Sequence, residues 1–478
     1  MKLRLLALAT SLAFASGAQA LTPAQIESAR TAGNLKEIYF SGASALRLSF
    51  AAYMAEVCDT ATMHVFFDST AGSAHRAYSC TLAKAVGNYA IGTQLVVYKR
   101  DAGGSGQGVN PVATATAIDH MSITSAGCSA VAGNPNFTDI QAPNYLCAGT
   151  AKKVSDAGIS DVEPDLLNQA PNLPDGASPA DLSTLAVKPF VQGIFAVAVN
   201  KQAYLALQKT QGLDNAGALD ESEAKRPSLP TTFVRAMLTG GLSATNTTKR
   251  GWGLVISEAV DPSVNTKQFN VCRRAPGSGT QAASNVYFAQ NPCAGDSKIE
   301  PLRTQGTIAA SGSGPYAVVE GAGTGNVETC LGTTVNGIAG AYGIAVLGRE
   351  NNPLANGGDK GYRYVKLDGA DPVRWNATTQ KGATTGDYDF VFESTLQYNT
   401  SYLTDADKVA FVTAISTNVP KPAALAAADA DTQQGVMSPS GAWASLGQYP
   451  ALTAAAKPFA SRVTRTAGQS CTVLKMAR

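Results

Sequence analysis

The sequence has few of the residues on which metal chemistry and enzymatic catalysis most often depend. Histidine occurs only three times, at His64, His75 and His120, without the spacing of a metal site, and no Cys-x-x-Cys pair is present. The nucleophile elbow Gly-x-Ser-x-Gly, the zinc motif His-Glu-x-x-His and the Walker phosphate loop are also missing. With only three tryptophans, a platform for stacking sugars is not expected. These absences predict a protein that is not an enzyme and that holds no metal or other cofactor.

Charge of one sign is also lacking. The chain carries 37 basic and 35 acidic side chains, and neither kind is clustered into a strongly charged run. Nucleic acids and anionic membrane surfaces are bound by clustered Lys and Arg, so neither partner is expected. An uncharged surface does not exclude a local anion pocket, because a few donors at one place are enough to form one.

Long apolar runs are absent after the first twenty residues, so no membrane span is predicted for the mature chain. At the start, Lys2 and Arg4 precede a short apolar stretch over residues 5–14, and Ala18-Gln19-Ala20 fits a small-x-small cleavage site. This pattern predicts an export signal over residues 1–20, cleaved after Ala20. The mature protein is expected to be periplasmic or secreted and monomeric.

Eight cysteines in an exported chain indicate disulfides. Neighbouring positions along the sequence favour four pairs, although eight cysteines allow 105 pairings. The predicted pairs are Cys58–Cys80, Cys128–Cys147, Cys272–Cys293 and Cys330–Cys471.

Short β-like runs alternate with Ala-rich helical runs, which is typical of an α/β protein. Residues 38–40 read as a strand that enters the turn Gly42-Ala43-Ser44-Ala45, followed by a helix. Residues 94–98 read as a second strand, leading into the glycine-rich residues 103–108 and then a helix over 112–118. The continuous apolar run 194–199 is expected to be a buried strand in a parallel position.

The segment Arg274-Ala275-Pro276-Gly277-Ser278-Gly279-Thr280 has the composition of an anion site. Its glycines allow close approach of the backbone, its hydroxyls are donors, and Arg274 adds a two-pronged cation. A helix beginning after Thr280 would also present free N–H groups and a partial positive charge.

Three strand–glycine–helix units are therefore present, around Gly42, around Gly103 and around Gly277. Ligands of open α/β sheets bind outside the carboxyl ends of the strands, so the three could converge on one tetrahedral anion. The alternative is that each is only a tight strand–helix turn.

The segment from Gly158 to Pro164 adds a carboxylate at Asp161. Its ordinary explanation is a helix N-cap or a turn. In an anion pocket, Asp161 would repel a bare oxyanion but accept a hydrogen bond from a protonated one, which favours hydrogen phosphate over sulfate.

In chain order, these segments resemble the phosphate-binding proteins of bacterial ABC transporters, which have the type II periplasmic-binding-protein fold. The match of Arg274 to Thr280 with an Arg-x-x-Gly-Ser-Gly-Thr signature is the most specific part of this resemblance. Residues 42–46, 104–109, 158–164, 191–200, 337–347, 362–371 and 386–388 resemble further family segments.

The resemblance implies an α/β, two-lobe periplasmic-binding-protein-like II fold, here with inserted disulfide-bearing loops. Lobe 1 would comprise residues 21–195 and 345–478, and lobe 2 residues 196–344. The ligand would be phosphate or a similar oxyanion, with an ABC permease as partner. The implied ligand contacts are Ser44, Ala45, Ser105, Asp161, Arg274, Ser278, Gly279 and Thr280.

One departure from the family concerns Pro276, which stands where well-studied members have an aspartate. The chain is also longer than typical members, with loops around 58–80 and 121–155 that carry cysteines. Two alternatives to an uptake protein therefore stay open. One is a secreted phosphatase-like relative, and the other is an extracellular scaffold that has lost tight ligand binding.

Overall fold

The structure is a computed structural model that describes most of the chain. It covers residues 21–69, 74–242, 251–303, 316–332, 340–354, 358–428, 434–444, 449–465 and 469–476. The predicted export signal, residues 1–20, lies outside the described residues, as do residues 337–339 of one family-like segment. The signal and its cleavage site therefore stay predictions.

Twenty strands are present in the described residues. They are β1 Lys36–Gly42, β2 His64–Asp68, β3 His75–Thr81, β4 Gln94–Arg100, β5 Ile118–Met121, β6 Cys128–Ala130, β7 Tyr145–Cys147, β8 Thr150–Lys153, β9 Ala157–Ser160, β10 Leu185–Asn200, β11 Ser228–Leu229, β12 Phe269–Arg274, β13 Tyr316–Gly321, β14 Gly343–Gly348, β15 Tyr362–Tyr364, β16 Lys366–Leu367, β17 Val391–Asn399, β18 Val436–Met437, β19 Val463–Thr464 and β20 Lys475–Met476.

Eleven α-helices accompany these strands in the described part of the chain. They are α1 Pro23–Thr31, α2 Arg47–Val57, α3 Asn110–Ala113, α4 Pro164–Leu167, α5 Lys201–Gln211, α6 Thr231–Leu238, α7 Gly279–Ala289, α8 Thr324–Leu331, α9 Ala406–Asn418, α10 Pro422–Ala427 and α11 Ser440–Ala444. The mixture confirms the predicted α/β class.

The main sheet has 14 strands and is built from two halves that share β10. In the first half, β1 pairs in parallel with both β4 and β9. In the second half, β12 pairs in parallel with both β13 and β14. The shared strand β10 is antiparallel to β17 on the first side and to β14 on the second. The chain therefore passes between two α/β lobes within β10, which agrees with the predicted two-lobe fold class.

The prediction that residues 194–199 occupy a parallel position was wrong, because β10 is antiparallel to every partner given above. An apolar run shows only that both faces of a strand are covered, and here helices and loops cover them. Residues 190–200 of β10 are all buried, and they contribute to the apolar cores of both lobes. The run is apolar because this stretch of β10 is buried over its whole length, and not because the strand is parallel to its neighbours.

The proposed lobe boundaries at 195/196 and 344/345 stay a prediction. Strand pairing shows where the halves of the sheet meet, since Phe195 is paired with Gly348 of β14. Strands β14 and β15 both pair with the second half of β10, whereas β17 returns the chain to the first.

Two of the four predicted disulfides are confirmed. Cys58–Cys80 and Cys128–Cys147 link cysteines 22 and 19 residues apart, and they lie in the two loop regions predicted to carry them. In the second pair, the cysteines are opposite each other on the antiparallel strands β6 and β7. The described residues contain no free cysteine.

The predicted pairs Cys272–Cys293 and Cys330–Cys471 were wrong. The structure joins Cys272 to Cys330 and Cys293 to Cys471. Cys272 lies on β12, and α8, which carries Cys330, packs on that strand. Cys293 lies beyond the end of α7 and faces the C-terminal segment. Tertiary packing, and not proximity in sequence, decides these two pairs.

The helix predicted over residues 112–118 is only a single turn. A 3-10 turn at Ser105–Gly108 leads into α3, and Ile118 already begins strand β5. Pro111 fits the start of α3, whereas Ala115 has a φ of 49°, which stops the helix.

Among the described residues, no helix combines the length and apolar character needed to cross a membrane.

Candidate functional site

Three glycine-containing segments from the sequence meet at the carboxyl ends of β1 and β9. A Cβ atom placed on Gly158 would lie 1.8 Å from the carbonyl oxygen of Gly108, and one on Gly42 would lie 2.0 Å from that of Ile159. The hydroxyl of Ser41 also donates to the carbonyl of Gln107 at 2.7 Å. Backbone therefore packs directly on backbone here, which requires residues without a side chain.

The turn after β12 contacts the same place from the second lobe. The N–H of Gly106 donates to the carbonyl of Gly277 at 2.7 Å, and the N–H of Gly277 donates to that of Asn172 at 2.7 Å. A Cβ on Gly104 would lie 3.2 Å from Nη2 of Arg274. The turns at the strand ends of the two halves of the sheet are therefore in direct contact.

Ser105 and Asp161 form the polar centre of this contact. The Ser105 hydroxyl donates to Oδ2 of Asp161 at 3.1 Å, and the N–H of Asp161 donates to Oγ of Ser105 at 3.1 Å. The other carboxylate oxygen, Oδ1, is buried without a partner in the described part of the chain. A Cβ on Gly279 would be 2.3 Å from Oγ of Ser105, so glycine is needed where α7 approaches.

Burial makes Asp161 hold its proton more tightly than usual. Removal from water raises the pKa of Asp161 from 3.8 to about 6, against the lowering effects of the Ser105 hydrogen bond and the charges of Arg274 and Lys99. A buried carboxyl whose second oxygen lacks a partner is able to share a proton with a ligand. Its ordinary explanation was a helix N-cap or a turn, and the N-cap is wrong, because Glu163 occupies the N-cap position of α4.

Arg274 is buried at the end of β12, with 4% of its surface exposed. Its Nη1 donates to the Thr324 hydroxyl at 3.1 Å and its Nη2 to the carbonyl of Ala322 at 3.0 Å, whereas its buried Nε has no partner among the described residues. Burial lowers the pKa of Arg274, and the charges of Asp161 and Glu350 oppose that effect. The two terminal nitrogens of the guanidinium are thus bound by residues that follow β13. The guanidinium gives the site a fixed positive charge.

The start of α7 supplies neutral donors. Ser278 is the N-cap and accepts the N–H of Gln281 at 3.3 Å. The N–H groups of Gly279 and Thr280 have no acceptor in the described residues, as is normal for the first turn of a helix. Gly279 packs against Ser105 and Asp161, so the first turn of α7 lies beside the carboxyl. The first turn of α7 is therefore suited to an anion.

The first predicted turn is held by a buried lysine. Lys99 donates to the carbonyls of Gly42 and Ala43 at 3.1 and 3.0 Å and to Oδ1 of Asp101 at 2.6 Å. Beyond it, Ser44 is half-buried and Ala45 is buried. In the described residues, the Ser44 hydroxyl makes no hydrogen bond to Asp161 or Arg274, and the contact of Ser44 and Ala45 with a ligand stays a prediction.

Two residues whose charges act on the groups of the site were not predicted from the sequence. Arg47 begins α2 directly after the predicted turn, and Glu350 follows β14. The charges of Arg47 and Asp161 both act on Glu350, and Glu350 acts on Arg274. Arg47 could have been found from its place beside the turn, whereas no sequence signal marks Glu350.

A large cavity of about 560 Å³ lies elsewhere, between the sheet and the end of α9. Its lining includes Val187, Phe190, Thr395 and Pro420 and none of the predicted ligand residues. The candidate site is therefore identified by its donors and charges and not by its volume. The described residues also contain no cluster of three or more His, Cys, Asp or Glu able to hold a metal ion.

The raised pKa of Asp161 predicts a pH-dependent loss of stability in protein without ligand. A carboxyl with a folded pKa of about 6 binds its proton more tightly in the native state, so the free energy of unfolding falls as pH rises from about 4 to about 6. We expect Asp161→Asn to remove this penalty and to stabilise the protein by about 3 kcal/mol at pH 7. Urea unfolding at about pH 4 and pH 7 tests it, and an equal gain at both values would contradict it.

No family model matches the chain, and no curated protein matches it. Among solved structures, an ABC-type phosphate transport receptor from Vibrio cholerae is 10% identical, with a TM-score of 0.36, and the match covers 84% of this chain and 99% of that one. A possible phosphate binding protein from Planctomyces limnophilus is 8% identical, with a TM-score of 0.28 and coverages of 83% and 96%. Reduced OxyR from N. meningitidis is 10% identical, with a TM-score of 0.22 and coverages of 55% and 73%.

Proposed function

We propose that this protein is an exported solute-binding protein that closes its two lobes over phosphate or a similar oxyanion. The observation that carries the proposal is the contact of Asp161, Ser105 and the first turn of α7 at the junction of the lobes. Neutral N–H and O–H donors, one fixed cation and one acceptor meet there. This is the set of groups that a partly protonated tetrahedral anion requires.

The ligand contacts proposed for this site come from both lobes. Lobe 1 contributes Ser44, Ala45, Ser105 and Asp161, and lobe 2 contributes Arg274, Ser278, Gly279 and Thr280. These contacts require only that the ligand is bound, and not that it reacts. None of the three histidines is among them. The four disulfides support an exported protein, because disulfides persist in oxidising compartments. Delivery of the ligand to an ABC permease is part of the same proposal.

Phosphate is expected to stabilise the protein, and Arg274→Ala is expected to abolish that effect. At about 100 times the dissociation constant, ligand binding adds about 2.7 kcal/mol to the free energy of unfolding, which raises the melting temperature. Removal of the buried guanidinium deletes the cation that faces the anion. Thermal unfolding with and without phosphate measures the effect, and Arg30→Ala, which breaks an ion pair with Glu37 away from the site, is the matched control.

Two further variants separate the possible outcomes. Asp161→Asn should weaken discrimination against sulfate, because it removes the charge that repels an unprotonated dianion. Pro276→Asp should tighten phosphate binding by adding an acceptor beside Arg274. If wild-type protein and Pro276→Asp both show no phosphate-dependent shift at millimolar phosphate, the binding function is wrong, and a scaffold without a tight ligand is the better description.

A further inference from the structure

The four disulfides differ in how far they are exposed to solvent. Cys471 is exposed and its partner Cys293 is half-buried. The pairs Cys58–Cys80 and Cys272–Cys330 are buried, and none of their four cysteines is more than 5% exposed. In Cys128–Cys147, one cysteine is half-buried and the other is buried. Disulfide exchange requires that a thiolate reaches one of the two sulfurs, so the bond between Cys293 and Cys471 is the best placed for it.

Both cysteines of this pair line a cavity of about 460 Å³ beside the end of α7. Its wall also contains Tyr287 of α7, Phe392 of β17 and Val473, which is 76% exposed. A volume of this size is within the range of sites that admit a small organic molecule. A small dithiol therefore has access to Sγ of Cys471 in the folded protein.

Helix α7 connects this disulfide to the candidate anion site. The first residue of the helix, Gly279, packs against Asp161, and Cys293 lies four residues beyond the last one, Ala289. The 11 residues of the helix span about 16 Å. A crosslink at Cys293 therefore restricts where the first turn of α7 can lie.

The C-terminal segment connects the same disulfide to the other side of the site. Cys471 follows Ser470, whose N–H donates to Oε1 of Glu163 at 2.7 Å and whose hydroxyl donates to Oε2. Ser470 and Glu163 are both buried, and Glu163 is two residues beyond Asp161. The disulfide thus completes a connection of covalent and hydrogen bonds from the Asp161 segment to the far end of α7.

We propose that Cys293–Cys471 is a thiol-exchange site, which a small dithiol reduces while the protein stays folded, and that its reduction weakens anion binding beside Asp161. The second part of this inference rests on the proposed function.

The exchange takes place in two steps. A thiolate of the dithiol attacks Sγ of Cys471 and forms a mixed disulfide, and Sγ of Cys293 leaves as a thiolate that takes a proton from solvent. The second thiolate of the reagent then attacks the reagent sulfur of the mixed disulfide and releases Cys471, which is protonated in turn. The protein disulfide is reduced by two electrons, and the dithiol is oxidised to a cyclic disulfide.

Reduction weakens binding because the crosslink holds the two sides of the site in place before a ligand arrives. Without it, α7 and the segment that contains Asp161 are restricted only by noncovalent contacts, such as the hydrogen bond from Nδ2 of Asn285 to Oδ1 of Asn172 at 2.8 Å. The anion then has to restrict them further, and the entropy lost in doing so reduces its affinity. We expect phosphate affinity to fall by about 5- to 150-fold, the usual range for coupling between two sites.

The first test follows each disulfide while native, oxidised protein is treated with dithiothreitol. Free thiols are trapped with iodoacetamide at intervals and assigned by peptide mapping. Cys293 and Cys471 should become free at least about tenfold faster than the buried pairs, which need local opening of the structure. The matched control is Cys128–Cys147, which also contains a half-buried cysteine. Equal rates for these two pairs, or loss of the native circular dichroism during the reduction, would overturn the exchange site.

The second test measures phosphate binding by calorimetric titration of oxidised, selectively reduced and reoxidised protein. Affinity should fall on reduction and return on reoxidation. Because coupling between sites is reciprocal, saturating phosphate should also shift the equilibrium in a dithiothreitol buffer toward the disulfide by the same factor. The double serine variant of Cys293 and Cys471 should bind phosphate as the reduced protein does. If this variant does not fold, the reduced protein supplies the same measurement.

The outcomes separate this inference from the function on which it rests. If oxidised and reduced protein bind phosphate equally well, the effect of the disulfide on the anion site is overturned, although the proposed function stands. If wild-type protein binds no phosphate, the proposed function fails and this effect fails with it. Selective reduction of Cys293–Cys471 in the folded protein would still establish the exchange site.

Discussion

Replacing Cys293 and Cys471 together by serine is expected to lower the free energy of unfolding by about 5 kcal/mol. The two cysteines are 178 residues apart, and a crosslink over so long a loop removes much of the conformational freedom of the unfolded chain. In the native state, this disulfide joins the end of α7, in the second lobe, to a C-terminal segment anchored on the first. There, the N–H of Ser470 donates to Oε1 of Glu163 at 2.7 Å, just before α4.

Urea unfolding of the oxidised protein in phosphate-free buffer measures this loss. The matched control is the double serine variant of Cys128 and Cys147, which are only 19 residues apart and should cost about 3 kcal/mol. If the control costs as much as the Cys293 and Cys471 variant, or more, then loop length does not govern the stabilisation. Peptide mapping without reduction would also contradict the pairing if it found Cys293 linked to Cys272.

Gly158→Ala is expected to destabilise the protein by about 3 kcal/mol, the upper part of the usual range for overpacking a core. The added Cβ would lie 1.8 Å from the carbonyl oxygen of Gly108 and 2.8 Å from its Cα. Both atoms belong to backbone, so no side chain can rotate away, and the strand end itself must move. Because Asp161 is three residues further on, protein that still folds should also lose phosphate-dependent stabilisation.

Gly325→Ala is the matched control for this substitution. Gly325 lies in α8, its Cβ would meet no atom within 4 Å, and alanine is favoured over glycine within helices by about 1 kcal/mol. Thermal and urea unfolding of both variants should therefore give changes of opposite sign. Equal effects would mean that the close approach of the Gly158 and Gly108 backbones does not determine stability.

Local features of the site were predictable from the sequence because they depend on neighbouring residues. The turn around Gly277 and the helix after it follow from glycine, a capping serine and an Ala-rich run, and the structure places Ser278 as the N-cap of α7. Possible convergence was predicted for the turns around Gly42, Gly103 and Gly277, with Asp161 as an added acceptor, and the structure brings Ser105, Asp161 and Gly279 into contact. The electrostatic interaction of Glu350 with Asp161 was not expected, since Glu350 follows β14, whose place beside β10 is set by strand pairing.

By itself, the sequence determined the α/β class, the glycine turns at strand ends and the two short-range disulfides, all of which follow from residues close together in the chain. Only the tertiary structure decided the pairs Cys272–Cys330 and Cys293–Cys471, the antiparallel setting of β10 and the electrostatic interaction of Glu350 with Asp161. The physical reason is the same in each case. Composition and spacing indicate whether a residue is buried, lies in a turn or caps a helix. Partners far apart in sequence are brought together by the packing of whole strands and helices.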